Sequence, residues 1–390
     1  MTFLDSMSRL RRRRLDKRAT AGRRIAILVT SDFGQPSVEE ICCEAAAGER
    51  PRRDYVELAQ MLDAEVIDGE YMARHAAPIA RLVARTVSLA AGQVVEGFLR
   101  RRRYSVIVAW ADRIGLPLAL LLKITRSRQQ LVLISIRITN GVKGFFVKRL
   151  RVHSHLHSIF ARSLQRELAA DELGVPADKL RIDGPAIDEL FWKPTKSASE
   201  NMICAVGWEE RDYATLIEAV RTLPVNVEIA AGTSTLPDLP DVSRTVDANL
   251  VKSTGELPST VRLRTYQPLE LRELYARSRF VVVPVNPVDF DAGATAITEA
   301  MAMGKAVITS RAAALTNVFQ DGEAGIFVEP GDVAAWREAI RYLLDHPDEA
   351  ALMGEAGRAS VERMYRLDAC TVRFAEVIRA CQASAHEVPA

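Results

Sequence analysis

The residues best suited to chemistry stand in one run, Asp289-Phe290-Asp291-Ala292-Gly293-Ala294-Thr295-Ala296-Ile297-Thr298-Glu299. The run follows an apolar, strand-like stretch, Phe280 to Val285, and opens a helical pattern from Ala294 to Met303. A helix start presents unpaired N–H groups and the positive end of the helix dipole, so it is a ready site for an anion. Gly293 lets the backbone approach a phosphate closely, and the amides from Gly293 to Ala296 are expected to face it. Glu299 lies eight positions after Asp291, a little over two helical turns, which predicts two carboxylates along one face. Carboxylates there suit the paired hydroxyls of a sugar, each charge-assisted bond contributing roughly 1.5–3 kcal/mol. A second segment, Val206-Gly207-Trp208-Glu209-Glu210-Arg211-Asp212, reads as strand end, loop and helix start. Its Arg211 offers a planar fork that fits a phosphate. Lys305 is a further cation for the same anion.

These residues need elements to position them. Ile25 to Thr30, Ala64 to Ile67, Ser105 to Trp110 and Leu131 to Ile136 are short apolar runs rich in β-branched residues, as buried parallel strands are. The apolar spacing from about Arg74 to Arg103 predicts one long helix, with Arg100 to Arg103 as cations at its end. Another short strand and helix are expected within Ser154 to Gly174. The second half repeats the scheme: strands at Ile203 to Val206, Val225 to Ala230, Val261 to Arg264, Phe280 to Val285 and Ala306 to Thr309, with helices between them. Residues 235–258, with three prolines, read as a surface excursion. Strands alternating with helices imply an α/β chain of two Rossmann-like, doubly wound domains facing each other across a cleft. The boundaries expected are a basic arm at 1–22, a first Rossmann-like domain at 23–194, a second at 195–365, and a terminal helix at 366–390 returning towards the first domain.

The run from Asp291 to Glu299 resembles the acidic-seven-residues-Glu motif of retaining GT-B glycosyltransferases, the large glycosyltransferase family 4 and its relatives. Two further blocks agree: Asp321-Gly322-Glu323-Ala324-Gly325-Ile326-Phe327-Val328-Glu329-Pro330-Gly331-Asp332, and Val206 to Ala219 around Gly207 and Arg211. Leu173 to Leu180, with Asp188, Phe191 and Pro194, is similar to the family's inter-domain crossing. The resemblance implies the GT-B fold and sugar transfer from a nucleotide sugar to a hydroxyl of a lipid, saccharide or natural product, with retention. By the same resemblance Asp291 contacts the donor sugar, Glu299 the ribose hydroxyls, and Arg211 the diphosphate, with Gly207, Gly293, Ala294, Thr295 and Lys305 completing the donor site. No metal or other cofactor is implied. The chain departs from the family pattern at Asp291 (usually Glu), Ala294 (usually Gly) and Trp208 (often Arg). Ala313-Ala314 and Thr316-Asn317 replace the next loop's Gly-Gly and Pro-Glu, Ser31 to Gln35 has no Gly-Gly, and Arg137 and Thr139 stand where a His is frequent. Those departures keep open a degenerate GT-B protein that only binds nucleotide or partner; an epimerase or hydrolase on the same fold is the other alternative.

Composition sets the remaining limits. The chain has 390 residues, 48% hydrophobic and 26% charged, enough for two cores. Residues 1–24 hold nine Lys or Arg against two Asp, a net +7, so the rest is about −5. A basic arm on an acidic body fits an anionic membrane surface better than nucleic acid, and no nucleic-acid partner is expected. The five cysteines form no CxxC pair, which fits a reducing compartment. No apolar run approaches the ~20 residues that span a bilayer. A cytoplasmic protein, peripheral on the inner face of the membrane, is the expectation. Asp289-Phe290-Asp291 spells a DxD triplet, and His153, His155 and His157 alternate; neither is read as a metal site, the histidines being taken as a polar strand face.

Overall fold

The computed structural model describes residues 24–30, 36–139, 141–182, 184–195, 197, 199–233 and 257–387. The basic arm, the loop Ser31 to Gln35 and nearly all of the excursion at 235–258 lie outside the described residues.

Strands β1 (Arg24–Leu28), β2 (Glu65–Ile67), β3 (Tyr104–Ala109), β4 (Gln130–Ile134), β5 (Ser158–Ala161) and β6 (Leu180–Ile182) build a parallel sheet in the order β2-β1-β3-β4-β5-β6. Strands β7 (Met202–Val206), β8 (Asn226–Thr233), β9 (Val261–Tyr266), β10 (Val281–Val283), β11 (Val307–Ser310) and β12 (Gly325–Val328) build a second, in the order β12-β11-β10-β7-β8-β9. The central strands are buried along their whole length, since helices cover both faces of each sheet. The strand order reverses between β1 and β3, and again between β7 and β10. At such a reversal the outgoing loops diverge and leave a crevice beyond the strand ends.

The long helix expected over Arg74 to Arg103 is broken: a short helix, Gly69–Arg74, ends where it was to begin, and two further pieces follow, Pro78–Thr86 and Leu89–Arg100, the last followed by a 3-10 turn at Arg101–Arg103. The break has a local cause. Ser88 caps the third piece by accepting the Ala91 N–H at 3.1 Å, and the chain reverses into a hairpin. Gly92 permits the close approach, because a Cβ there would stand 2.4 Å from the Ala84 Cβ. The histidine segment also differs from the expected strand: Val152–His155 is a 3-10 turn, and buried His153 places Nδ1 3.2 Å from the Val147 carbonyl. A turn forms because Lys179 gathers the carbonyls of His153, Ser154 and Leu156 around its ammonium.

The chain passes between the sheets twice, and the two crossings are bonded together. Ile187 N–H donates to the Tyr365 carbonyl at 2.8 Å, and Leu367 N–H to the Ile187 carbonyl at 2.9 Å. Arg52 stitches both crossings to the first sheet's helices, donating to Asp188 at 2.9 Å and Asp368 at 2.9 Å. After the second crossing, helix Leu367–Glu387 packs Phe374, Ala375, Ile378 and Cys381 against Ile25, Ile27, Val106 and Val108 of the first sheet.

Candidate functional site

The crevice at the β7/β10 reversal is built from two loops. The first leaves β7 at Gly207, whose φ of +106° is open to glycine and unfavourable for side chains. It returns at Arg211, which forms an antiparallel bridge with Val285 beyond β10. Asp212 N–H donates to the Pro284 carbonyl at 3.1 Å and Asn286 N–H to the Glu210 carbonyl at 2.9 Å, so the two loops are one unit. Tyr213 closes the base by donating its hydroxyl to the Gly207 carbonyl.

Arg211 lies between the two glycines. Its Nε donates to the Val206 carbonyl at 3.0 Å and its Nη1 to the Glu209 carbonyl at 2.6 Å. A Cβ on Gly207 would meet Nη2 at 2.2 Å, and one on Gly293 would stand 3.7 Å from Cζ. Nη2 has no hydrogen-bond partner among the described residues. Burial disfavours the guanidinium's charge, a penalty that a bound anion would relieve.

Gly293, with φ +95°, is the N-cap of helix Ala294–Ala302 and supplies no side-chain cap. Ala294 N–H is taken by the Asp291 carbonyl at 3.0 Å, and Ile297 N–H by the Gly293 carbonyl at 2.9 Å. The open first-turn amides are therefore those of Thr295 and Ala296, and buried Ala294 offers none to an anion. Thr295 is exposed at the helix start.

Glu299 is half-buried two turns along this helix and accepts a hydrogen bond from the Tyr275 hydroxyl at 3.1 Å. Burial raises its carboxyl to about 7, against the downward pull of the Tyr275 bond and the positive charge of Arg53 across the cleft. Asp291 does not share its helix face. It precedes the helix, the left-handed turn at Gly293 redirects the chain, and its Oδ2 pairs with Arg162 Nε at 3.2 Å. Asp291 and Glu299 thus approach the crevice from different backbone directions.

Lys305 stands away from the crevice. It follows the far end of helix Ala294–Ala302, and its ammonium donates to the Ala276 and Ser278 carbonyls at 2.8 and 2.7 Å. It seals the end of helix Pro268–Arg277 and takes no part in the crevice.

The opposite wall comes from the first sheet. Arg137 pairs with Asp289 at 2.7 Å and lies 4.7 Å over the Phe290 ring. Thr139 donates its hydroxyl to Asp289 at 2.9 Å, and Gln165 donates its amide to the Asp289 carbonyl at 2.6 Å. The DxD triplet is therefore a docking segment whose carboxylates meet two different arginines. Among the described residues no three His, Cys, Asp or Glu side chains gather as a metal site would require. Tyr275, Arg162, Gln165 and Arg53 escape a reading of the sequence, since nothing in their local spacing marks them, and Arg137 is marked there only as standing where a His is frequent. The available signal is positional: Arg137 and Arg162 each stand just beyond the C-terminal end of a parallel strand.

Residues 204–346 match the family model of glycosyl transferases group 1. The chain is 26% identical over 200 residues to an MMP alpha-(1->4)-mannosyltransferase of Mycolicibacterium hassiacum, covering 50% of this chain and 46% of that protein. It is 28% identical over 249 residues to a D-inositol 3-phosphate glycosyltransferase of Corynebacterium urealyticum, covering 57% of each. The chain thus spans about half the length of these curated relatives. Among solved structures it resembles a sucrose-phosphate synthase of Thermosynechococcus elongatus with TM-score 0.71 and 17% identity, covering 93% of this chain and 100% of that one. It also resembles Anabaena HepE in complex with UDP and glucose, with TM-score 0.65 and 17% identity, covering 91% and 99%. The fold is GT-B.

Proposed function

We propose that this GT-B chain, whose residues 204–346 match glycosyl transferases group 1, moves a sugar from a nucleotide sugar to an acceptor hydroxyl. The observation that carries the reading is the placement of the Arg211 guanidinium beside Gly293, the N-cap of the helix whose Thr295 and Ala296 amides are open, at the strand reversal of the second sheet. When the bond from the sugar C1 to the diphosphate breaks, charge grows on the departing phosphate oxygens. A desolvated guanidinium and two fixed amides stabilise that charge without reorganising, and stabilisation of this kind usually contributes most to the rate. Positive charge already supplied by the protein makes a metal unnecessary in this scheme. Glu299, held by Tyr275, accepts from the ribose hydroxyls, and Gly207 and Gly293 keep the floor clear of side chains. Asp291 reaches the transferred sugar by exchanging its Arg162 partner for sugar hydroxyls.

The resemblance to retaining enzymes supports retention at the sugar carbon and a hexose as the group moved. The acceptor enters from the first sheet's side, and lipid, saccharide and natural-product hydroxyls are all compatible with that wall. The basic arm ahead of an acidic body supports a cytoplasmic, membrane-peripheral setting. A degenerate, nucleotide-binding protein is the second reading, favoured by one observation: both acidic residues of the triplet are engaged by arginines.

Nucleotide binding tests the donor half of this scheme. UDP, GDP and dTDP are each titrated at up to about a hundred times a micromolar Kd, where one bound ligand stabilises the fold by about 2.7 kcal/mol. A rise in melting temperature with one of the three is expected. A flat response to all of them contradicts the reading.

A further inference from the structure

Helix Pro78–Thr86 carries two apolar faces, and only one of them is packed. Its small face, Ala80 and Ala84, is buried against Gly92 of the antiparallel helix Leu89–Arg100. Its large face points outward: Ile79, Leu82 and Val87 are 59%, 60% and 72% exposed. With half-buried Val83 they fall at helical spacing, a continuous stripe rather than scattered surface residues.

The hairpin that bears the stripe is held rigidly. Buried Glu96 accepts the Ala77 N–H at 2.8 Å, capping the helix start, and pairs with Arg100. Buried Gln93 donates its amide to the Val29 and Ile67 carbonyls, each at 2.7 Å, fixing the hairpin to β1 and β2. The helix that bears the stripe carries one sign of charge. Helix Pro78–Thr86 contains Arg81 and Arg85 and no acidic residue, and exposed Arg102 and Arg103 follow the partner helix. Arg81 donates to the Arg74 and Ala76 carbonyls, and no carboxylate pairs with it among the described residues. A second copy of this chain seated face to face would set arginines against arginines with no helix carboxylate between them.

Behind the stripe lies a cavity of about 360 Å³. Val83, Leu89, Val94 and Pro117 make it apolar, and Thr30 and Arg113 form its other end. Thr30 follows β1 and Arg113 opens the helix after β3, so this end lies at the strand reversal of the first sheet, facing the cleft.

We propose that the Ile79–Leu82–Val87 stripe, with Arg81 and Arg85, docks the chain on an anionic phospholipid surface. An amphipathic helix of this kind lies in the interface plane with its apolar residues among the acyl chains and its cations among the headgroups. Docking there brings the apolar cavity to the bilayer and its polar end to the cleft. Taken with the transferase reading, on which this last step rests, the acceptor is a membrane lipid whose chain passes through the cavity.

The test is co-sedimentation of the full chain with vesicles of phosphatidylcholine and phosphatidylglycerol, and with phosphatidylcholine alone. The wild type is expected to sediment with the mixed vesicles only. The variant I79S/L82S/V87S is expected to lose at least roughly tenfold in partitioning, and R81Q/R85Q to lose several-fold. Because Ile79, Leu82 and Val87 are exposed, the melting temperature of the serine variant should stay as in wild type. The basic arm is present in every variant, so a loss in the serine variant belongs to the stripe. Equal partitioning of wild type and serine variant overturns the proposal, as does a wild type that stays in the supernatant. A dimer that the serine substitutions split into monomers also overturns it, in favour of a second copy. A nucleotide-induced melting shift retained by the serine variant keeps this outcome separate from the fate of the transferase reading.

Discussion

Arg211 and Lys305 show how two cations of equal promise in the sequence take unequal parts. Among the described residues Arg211 has one nitrogen without a hydrogen-bond partner between two glycines, whereas Lys305 gives its ammonium to two carbonyls. Arg211→Ala should weaken nucleotide binding by roughly 1.5–3 kcal/mol, a ten- to hundredfold rise in Kd by calorimetry. Lys305→Ala should leave that Kd unchanged and lower stability by about 1–3 kcal/mol in denaturant unfolding, because two buried carbonyls lose their donor. Glu299 yields a prediction in pH. Its folded carboxyl, raised to about 7, holds a proton more tightly than the unfolded one near the usual 4.5. Stability should therefore rise as pH falls from about 7 towards 4.5, and Glu299→Gln should flatten that slope in melting curves. A wild-type slope of the opposite sign, or none relative to the variant, contradicts the assignment. Arg211, Gly293 and Glu299 were legible in the sequence because a strand, a turn and a helix start are local patterns. Tyr275 and Arg162 were not, since a buried tyrosine on an ordinary helix and an arginine after a strand gain their meaning only from what faces them.

The strands were the most readable elements, because β-branched apolar runs such as those of β3 and β7 have few other uses. The helical hairpin was the least readable. Apolar periodicity runs unbroken through Val87, and the single capping hydroxyl of Ser88 decides that the chain turns. The same holds for Ala294 in the loop after β10: its position promised an open amide, and one turn of backbone closes it on Asp291. The loop after β7 carries the sharpest prediction for an element. Gly207→Ala adds a Cβ at 2.2 Å from Arg211 Nη2 and forces a side-chain residue to φ +106°. The variant should lose about 1–3 kcal/mol of stability from the strained backbone. It should also bind nucleotide as poorly as Arg211→Ala, since the guanidinium must leave its place. Calorimetry that finds wild-type affinity in this variant would mean that Arg211 Nη2 does not face the ligand.

At the scale of the whole molecule, two sheets meet through a pair of bonded crossings on one side and through arginine–aspartate pairs across the cleft. The alternation of strands and helices made the two-sheet plan readable. The pairs Arg137–Asp289 and Arg162–Asp291 join residues more than a hundred positions apart, and no local pattern could announce them. They are partly exposed, so each contributes modestly, and together they bias the cleft towards closure. The variant R137A/R162A should open it, seen as a larger radius of gyration in solution scattering, with wild-type melting behaviour. An unchanged radius would mean that the crossings alone set the angle between the sheets. The central claim, that the β7/β10 crevice is a working nucleotide-sugar site, is tested most directly by donor turnover. UDP-, GDP- and dTDP-sugars are incubated without acceptor, and release of the nucleoside diphosphate is followed for the wild type and Glu299→Ala. The account predicts slow release from one donor class by the wild type and its loss in the variant. Release that survives in Glu299→Ala, or none from any donor, would contradict it.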